Sequence, residues 1–383
     1  MRFGMVRWKA TRSAAAMVAV ALGATLLAGC GSDPVAEPSI VAATSPAPTT
    51  PRTTPSTTIA RTTPKKTTSS AAPKPKPKPK PKPAPKPKPK PPATDPLTGG
   101  KPSKNPVVAV KIDNTAGGRP QYGVAKADLV YIEQVEGGLT RMIAVFHTNL
   151  PTEVGPVRSV RSTDVELLPK YGSPILAFSG GAGGPLAMLA ASSVVDGSAA
   201  GAAYWRSSAA YAPYNLHVDV AKVAATLGGA APKDIGLRFG PAGQDRRLAK
   251  APLVNQIDVV MQAGRTAFSY DKATASYQVA AGGGTAYDAS GEALTTENVL
   301  VQNVVDEPDG TVDSVGSPSL LSHTVGTGTF TLYRNGRAVT GTWTRPSVGK
   351  PTAYLDKAGK PVTFRPGSTW VMLAPQTSSI SQG

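Results

Sequence analysis

Short blocks of apolar residues, each ended by glycine, proline or a polar turn, occupy the chain from residue 106 to about residue 250. Blocks rich in valine, isoleucine and leucine predict buried strands, and apolar positions three and four residues apart predict helices. The predicted strands are residues 106–113, 128–134, 140–147 and 174–179, and the predicted helices are residues 163–170, residues 219–227 and a segment that begins at Pro185. This mixture of strands and helices predicts an α/β or α+β N-terminal domain.

The pattern changes after about residue 255, where apolar and polar residues alternate between turns. Asn335-Gly336 separates two alternating blocks, residues 329–334 and 337–343, and this dipeptide is typical of a tight hairpin. Residues 353–373 repeat the pattern, with turns at residues 356–359 and 366–367. We therefore expect a smaller β-rich C-terminal domain over residues 251–376, after an N-terminal domain over residues 106–250 and before a tail at residues 377–383.

The first 29 residues have the form of a signal peptide. Basic residues precede an apolar run over residues 14–28 that contains no acidic residue. The run ends in Leu27-Ala28-Gly29-Cys30, which resembles a bacterial lipobox, and Cys30 is the only cysteine of the chain. The resemblance implies cleavage before Cys30, attachment of a lipid such as palmitate to it, and anchoring at the extracytoplasmic face of the cell membrane. The alternative is ordinary secretion with an incidental cysteine.

Residues 30–105 are predicted to be a disordered linker rich in proline, threonine and lysine. Lysine and proline alternate over most of residues 74–91, and proline at alternate positions favours polyproline II, so this segment alone would span roughly 55 Å. We interpret it as a spacer that holds the folded part away from the membrane.

Charge argues against a nucleic-acid partner. The net charge of +17 comes from the leader and the linker, because residues 106–383 carry 23 basic and 21 acidic side chains. The part of the chain that is expected to fold is therefore nearly neutral, and it lacks the basic surface that nucleic-acid binding requires.

Two arginines stand at a predicted helix start. Arg158 and Arg161 precede Thr163-Asp164-Val165-Glu166, which has the form of a capping box opened by Thr163. Arginine forks beside the N–H groups of a helix start suit a phosphate or a carboxylate. Two hypotheses stay open: the arginines bind an external anion, or they pair with an internal carboxylate such as Asp113, Glu133 or Glu136.

Other candidate site residues lie near predicted strand ends. Asp113 and Asn114 end the first strand, where Asp113 could hold a metal ion or orient an arginine, although both are also common turn residues. Asn215 and His217 would share one face of an extended segment, so His217 is a candidate acid, base or ligand, or a structural hydrogen-bonding residue. A glycine-rich turn at residues 179–184 suits close approach of a ligand to the backbone.

Recognised catalytic motifs are absent from the sequence. It contains no HExxH, no Gly-x-Ser-x-Gly, no Walker sequence after the glycine-rich turn and no cysteine pair, and no cofactor or metal is predicted.

Several motifs, taken in order, resemble the YerB family of bacterial lipoproteins, a two-domain family of unknown function. They are Ile112-Asp113-Asn114, Arg119-Pro120-Gln121, the segments 127–131 and 135–141, Gly155-Pro156-Val157-Arg158, and the C-terminal segments 298–302, 341–343 and 366–370. The motifs add Arg119, Glu136 and Arg141 to the candidate ligand-binding residues. The resemblance implies an architecture and a lipoprotein, but no reaction.

Three functions remain compatible with the sequence. The chain is an envelope module that binds an anionic glycan, peptide or lipid, an envelope enzyme of the hydrolase or phosphotransferase type, or a scaffold for a membrane partner. We adopt the binding module as the working hypothesis, because the two arginines are its most specific feature.

Overall fold

The computed structural model describes residues 94–241, 246–313 and 316–383. The predicted signal peptide, Cys30 and the lysine-proline repeat lie outside these residues. Within the described residues, no helix is both long enough and apolar enough to cross a membrane.

The largest sheet in the described part of the chain is mixed and contains ten strands. In spatial order its strands are β18 (Ala353–Asp356), β17 (Arg337–Arg345), β16 (Gly326–Arg334), β13 (Asn298–Val304), β19 (Thr369–Pro375), β2 (Leu129–Gln134), β3 (Thr140–Phe146), β1 (Val108–Asp113), β4 (Ile175–Ala177) and β5 (Val195–Asp196).

The remaining strands form a second sheet and two short ribbons. The second sheet contains β11 (Gly284–Thr285), β10 (Ser276–Ala281), β9 (Gly264–Asp271), β8 (Gln256–Met261) and β20 (Ser379–Gln382), with β12 (Thr295–Thr296) beside β10. The ribbons pair β14 (Asp306–Val312) with β15 (Pro318–Ser322) and β6 (Tyr204–Arg206) with β7 (Leu216–Val218).

Helices are short. The α-helices are α1 (Ser162–Leu167), α2 (Gly183–Ala190), α3 (Val220–Leu227) and α4 (Arg246–Lys250), and the 3₁₀ segments are Ala116–Gly118, Val124–Lys126, Glu136–Gly138, Leu168–Tyr171 and Gly197–Ala203.

The central sheet joins the two halves of the chain. β19 lies between β13 and β2 and is parallel to both, with Thr369 opposite Leu129 and Asn298. Strands from both sides of the expected domain boundary at residue 250 therefore belong to one continuous sheet. This pairing places the C-terminal half beside the N-terminal strands that carry the candidate site.

Both faces of the central sheet are covered. Alternate residues of β1 point to opposite faces, so Val108, Val110 and Ile112 pack in one core and Ala109 packs in the other. The first core also contains residues of the second sheet and of α3, and the second core contains residues of α1 and α2. Burial on both faces explains why β1, β2 and β3 are almost continuously apolar in sequence.

Local signals located several elements correctly. β2 and β3 form the predicted antiparallel pair, and β16 and β17 form the hairpin predicted around Asn335-Gly336. Helix α3 follows Asp219, whose side chain accepts a hydrogen bond from Lys222 N at 2.8 Å, and it ends at Gly228 with φ of 69°. Residues 353–373, in contrast, do not form a second hairpin, since β18 pairs with β17 at the sheet edge and β19 lies at its centre.

The linker predicted over residues 30–105 includes residues that belong to the folded structure. Asp95 and Leu97 are fully buried, and Leu97 belongs to the core beneath α1 and α2. Asp95 Oδ2 lies 3.1 Å from His147 Nε2, next to the end of β3. The ordered structure therefore includes residues 94–105, which the proline-rich and lysine-rich composition had assigned to the linker.

Candidate functional site

Four charged residues occupy the sheet face beneath α1 and α2. Lys111 and Asp113 are on β1, Glu133 is on β2 and Arg141 is on β3, and each alternates with apolar residues of the core on that face. The strand register places Arg141 directly opposite Asp113 on one side and Glu133 on the other. Sequence alternation and register together thus concentrate charge at one end of the sheet.

A cavity of about 410 Å³ opens above this end of the sheet. It is lined by Glu136, Leu139, Arg141, Arg158, Ser159, Arg161, Gly181, Ala182, Val312, Asp313 and Ser319. Three of the lining residues are arginines, and they come from β3 and from the segment that precedes α1. The cavity therefore brings together the two arginines singled out in the sequence with a third from the sheet.

Asp113 is the common partner of Arg158 and Arg141. Its Oδ2 lies 3.1 Å from Arg158 Nε and 3.7 Å from Arg141 Nη2, and its Oδ1 accepts hydrogen bonds from Thr115 N and Oγ1, both at 2.6 Å. Burial lowers the pKa of Arg141, and the charge of Asp113 opposes that shift. Asp113 thus orients arginines, which is one of the two roles predicted for it.

Arg161 is held more completely than Arg158. Its Nε lies 2.5 Å from Glu136 Oε1, its Nη2 donates to Glu136 Oε2 at 2.9 Å, and its Nη1 donates to the carbonyls of Ser159 and Val160. Burial lowers the pKa of Arg161, but the hydrogen bonds that Arg161 donates to Glu136 outweigh burial and hold this pKa above its usual value. Ser319 on β15 donates to Glu136 Oε1 at 2.8 Å and fixes the carboxylate from the other side.

The helix start differs from the prediction. The N-cap is Arg161, and Asp164 Oδ2 accepts a hydrogen bond from Arg161 N at 2.7 Å. Thr163 lies inside the helix and accepts from Ser322 N, and Glu166 accepts from Thr324 N and Val325 N. The Thr163–Glu166 capping box is therefore wrong, because both side chains bind the C-terminal half of the chain and not their own helix.

A buried charge cluster lies beneath the arginines, and the sequence interpretation missed most of it. Lys111 Nζ donates to Glu133 Oε1 and, at 2.8 Å, to Asp164 Oδ1, and all three side chains are fully buried. Burial raises the pKa of Glu133 to about 7, although the charge of Lys111 opposes the shift. The available signal was the presence of charged residues at inward positions of apolar strands.

Comparison with known proteins agrees with this architecture. Residues 95–233 match the N-terminal domain model of a protein family of unknown function, DUF3048, and residues 257–371 match its C-terminal domain model. The chain belongs to the two-domain YerB family. It is 28% identical over 306 residues to the protein named "Putative lipoprotein YerB" of Bacillus subtilis (strain 168), which covers 75% of this chain and 88% of that protein.

The crystal structure of the YerB protein from Bacillus subtilis has the same fold. It superposes with a TM-score of 0.61 at 24% identity and covers 76% of this chain and 99% of the other. The resemblance to the YerB family drawn from the sequence motifs is thus confirmed.

Other motif residues of this YerB-family chain support the walls around the cavity. Arg119 Nη2 donates to the carbonyl of Asn114 at 2.7 Å, and Asn114 Nδ2 donates to Thr140 Oγ1 at 2.8 Å. Burial lowers the pKa of Arg119, and the charge of Asp113 opposes that shift. Arg119 and Asn114 are not among the residues that line the cavity.

The third candidate pair lies outside the cavity. His217 is 1% exposed, and its Nδ1 lies 2.7 Å from Glu153 Oε1. Asn215 Oδ1 accepts a hydrogen bond from Arg206 Nη1 at 2.7 Å. The loop that carries them still reaches the site, because Arg158 Nη1 donates to the carbonyl of Pro213 at 3.3 Å.

No group of three or more potential metal ligands is clustered in the part of the chain that the structure describes. Asp113 contacts Arg141, Arg158 and Thr115.

Proposed function

We propose that this YerB-family chain is a lipid-anchored, extracytoplasmic protein of the cell envelope that binds an anionic group in the arginine cavity. The group is a phosphate or a carboxylate carried by a glycan, a peptide or a lipid. Two independent lines support the proposal: the unfilled hydrogen-bond donors in the cavity, and the leader sequence together with the name of a relative.

Unfilled donors on two arginines carry the binding part of the proposal. Arg158 Nη2 donates to no protein acceptor within the described residues, and Arg141 Nη2 stands 3.7 Å from Asp113, too far for a hydrogen bond. Arg141 is 5% exposed and its Nη1 donates to the carbonyl of Thr140 at 3.1 Å, so Nη2 is the part of its fork that remains for a ligand or water. A tetrahedral or planar anion bridging the two forks supplies the missing acceptors.

The position of the anion follows from the carboxylates of the wall. Glu136 already occupies the fork of Arg161, and Asp313, another lining residue, accepts a hydrogen bond from Ser317 N at 2.8 Å. Asp113 meets Arg158 at Nε alone and lies 3.7 Å from Arg141 Nη2, so the donors that remain for an anion are on Arg141 and Arg158. Arg161 is then a brace for the cavity and not a direct ligand.

The anchoring part of the proposal comes from the leader. Leu27-Ala28-Gly29-Cys30 has the lipobox form, and the Bacillus subtilis relative carries the name of a lipoprotein. A protein anchored at the extracytoplasmic face of the cell membrane has the glycans, peptides and lipids of the envelope within reach. Phosphate and carboxylate groups occur on molecules of all three classes.

Calorimetric titration of the full-length protein with inorganic phosphate tests the binding site. Arg158→Gln removes one charged donor and is expected to weaken binding by about 1.5–3 kcal/mol, or roughly 10- to 150-fold in Kd. Arg265→Gln is the matched control, because Arg265 is a surface arginine on β9 that pairs with Asp258, away from the cavity. Equal phosphate binding by Arg158→Gln and the wild type would overturn the proposal.

A further inference from the structure

Helix α2 presents an apolar surface to solvent. Among its residues only Pro185 and Leu189 are buried, whereas Leu186 and Met188 are 36% and 39% exposed. No charged residue occurs in the sequence between Lys170 and Asp196. A surface helix normally turns polar residues outward, so an outward face of leucine, methionine and alanine indicates a surface that something apolar covers.

This apolar face borders the arginine cavity. Gly181 and Ala182, which immediately precede α2, line the cavity. A methyl group added to Gly181 would lie 3.4 Å from Leu186 Cγ, so the Leu186 side chain stands directly beside the cavity wall. The helix is thus continuous with the wall of the site.

Two further exposed aliphatic side chains lie within the cavity itself. Leu139 is 40% exposed and Val312 is 57% exposed, whereas Arg141 is 5% exposed. The arginine therefore lies deep, and the aliphatic side chains lie near solvent. The cavity thus combines a buried arginine with two more exposed aliphatic side chains, and Asp313 follows Val312 in its lining.

We propose that the ligand of this cavity is a single lipid molecule with a phosphate headgroup. The phosphate binds Arg141 and Arg158, and the hydrocarbon chain leaves over Leu139 and Val312 and lies along Leu186 on α2. This inference rests on the proposed function, because it takes the anion site as given and names the class of molecule that carries the anion.

The dimensions and the lining favour a lipid over a glycan. A volume of about 410 Å³ is near the lower end of ligand pockets, which span about 300–1,000 Å³, so it holds a headgroup and the first carbons while the rest of a chain needs the outer face of α2. Among the described residues, the lining includes no aromatic side chain on which a sugar ring could stack. Aliphatic side chains without aromatic rings suit a hydrocarbon chain.

Calorimetric titration of the full-length protein carrying Cys30→Ala tests the inference, because this variant has no attached lipid of its own to compete. Three probes are compared: inorganic phosphate, decyl phosphate below its micelle concentration, and glucose 6-phosphate. Decyl phosphate is expected to bind at least tenfold more tightly than inorganic phosphate, because part of its chain leaves water. Glucose 6-phosphate is expected to bind no more tightly than inorganic phosphate.

Substitutions along the proposed path test where the hydrocarbon chain of the ligand lies. Leu186→Ser combined with Val312→Ser is expected to lower decyl phosphate affinity about tenfold and to leave inorganic phosphate affinity unchanged, which also shows that the variant is folded. Leu253→Ser is the control, since Leu253 is 67% exposed and is not a lining residue of the cavity.

The outcomes separate this inference from the proposed function. Equal affinities for decyl phosphate and inorganic phosphate would contradict the lipid ligand but would still support the anion site. Tighter binding of glucose 6-phosphate than of decyl phosphate would assign the site to a glycan. If none of the three probes binds the wild type, the anion site itself is wrong.

Discussion

Arg161 and Glu136 face each other as a two-point ion pair, with Nε 2.5 Å from Oε1 and Nη2 2.9 Å from Oε2. Arg158, three residues earlier, touches its carboxylate through Nε alone, at 3.1 Å from Asp113 Oδ2. The two arginines that look equivalent in sequence therefore differ in kind. Arg161 completes an internal brace, and Arg158 keeps donors for a ligand.

The first prediction concerns this difference. Arg161→Ala leaves Glu136 without its charge partner at 6% exposure, so it is expected to lower the free energy of unfolding by about 2–4 kcal/mol. Arg158→Ala is expected to cost only about 1–2 kcal/mol, because Asp113 keeps its hydrogen bonds from Thr115. Urea denaturation of both variants measures the two losses.

A double variant supplies the control for the brace. Removing Glu136 together with Arg161 takes away the stranded carboxylate, so Arg161→Ala with Glu136→Ala should be less unstable than the sum of the single changes. Equal stability losses for Arg158→Ala and Arg161→Ala would contradict the division of roles.

The second prediction concerns the start of the ordered structure. Leu97 is fully buried in the core beneath α1 and α2, so Leu97→Ala is expected to destabilise the protein by about 2–5 kcal/mol. Deletion of residues 74–91 is expected to leave the melting temperature unchanged, because an alternating lysine-proline sequence favours polyproline II, a conformation that buries no apolar surface. A melting temperature for Leu97→Ala that matches the wild type would show that residues 94–105 do not belong to the folded unit.

The elements that the sequence predicted well are those specified by neighbouring residues. Asn335-Gly336 specifies the turn between β16 and β17, and Asp219 and Gly228 bound α3, because hairpin turns and helix caps depend on a few adjacent residues. The predicted start of α1 was wrong because the adjacent residues allow more than one cap. Asp164 and Glu166 both fit a local cap, and the choice between them depends on Thr324, which is 158 residues from Glu166.

The elements that the sequence could not place depend on distant pairing. β19 lies between β13 and β2 although Trp370 and its partner Val130 on β2 are 240 residues apart, and no local pattern specifies that neighbour. The cavity has the same origin, since Ser319 reaches Glu136 from a ribbon 183 residues away. The sequence named Asp113 and Glu136 among the candidate partners of the two arginines, but which carboxylate pairs with which arginine depends on the topology.

The third prediction concerns anchoring. Cys30→Ala removes the only thiol to which a lipid could be attached, so the variant is expected to lose fatty-acyl labelling and to leave the membrane fraction. Deletion of residues 74–91 is the control, because it shortens the linker without altering the lipobox, and this variant should stay in the membrane fraction. Undiminished acyl labelling of Cys30→Ala would show that Cys30 is not the site of lipid attachment.

The last prediction concerns the buried carboxyl of Glu133, whose pKa is raised by burial from 4.5 to about 7 in the folded protein. Between these two pH values the folded state holds a proton on Glu133 that the unfolded state has released. Stability from this group is therefore fully present below about pH 4.5 and is lost as the pH rises to about 7, with a slope of at most about 1.4 kcal/mol per pH unit. Glu133→Gln cannot titrate, so its free energy of unfolding should lack this decrease when it is measured in urea from pH 4.5 to pH 7.5.

Glu292→Gln is the control, because Glu292 lies at the surface with 48% of its side chain exposed, and its pH profile should follow the wild type. A wild-type decrease that persists unchanged in Glu133→Gln would assign the proton to another buried carboxyl, such as Asp128 or Asp306, whose pKa values burial also raises.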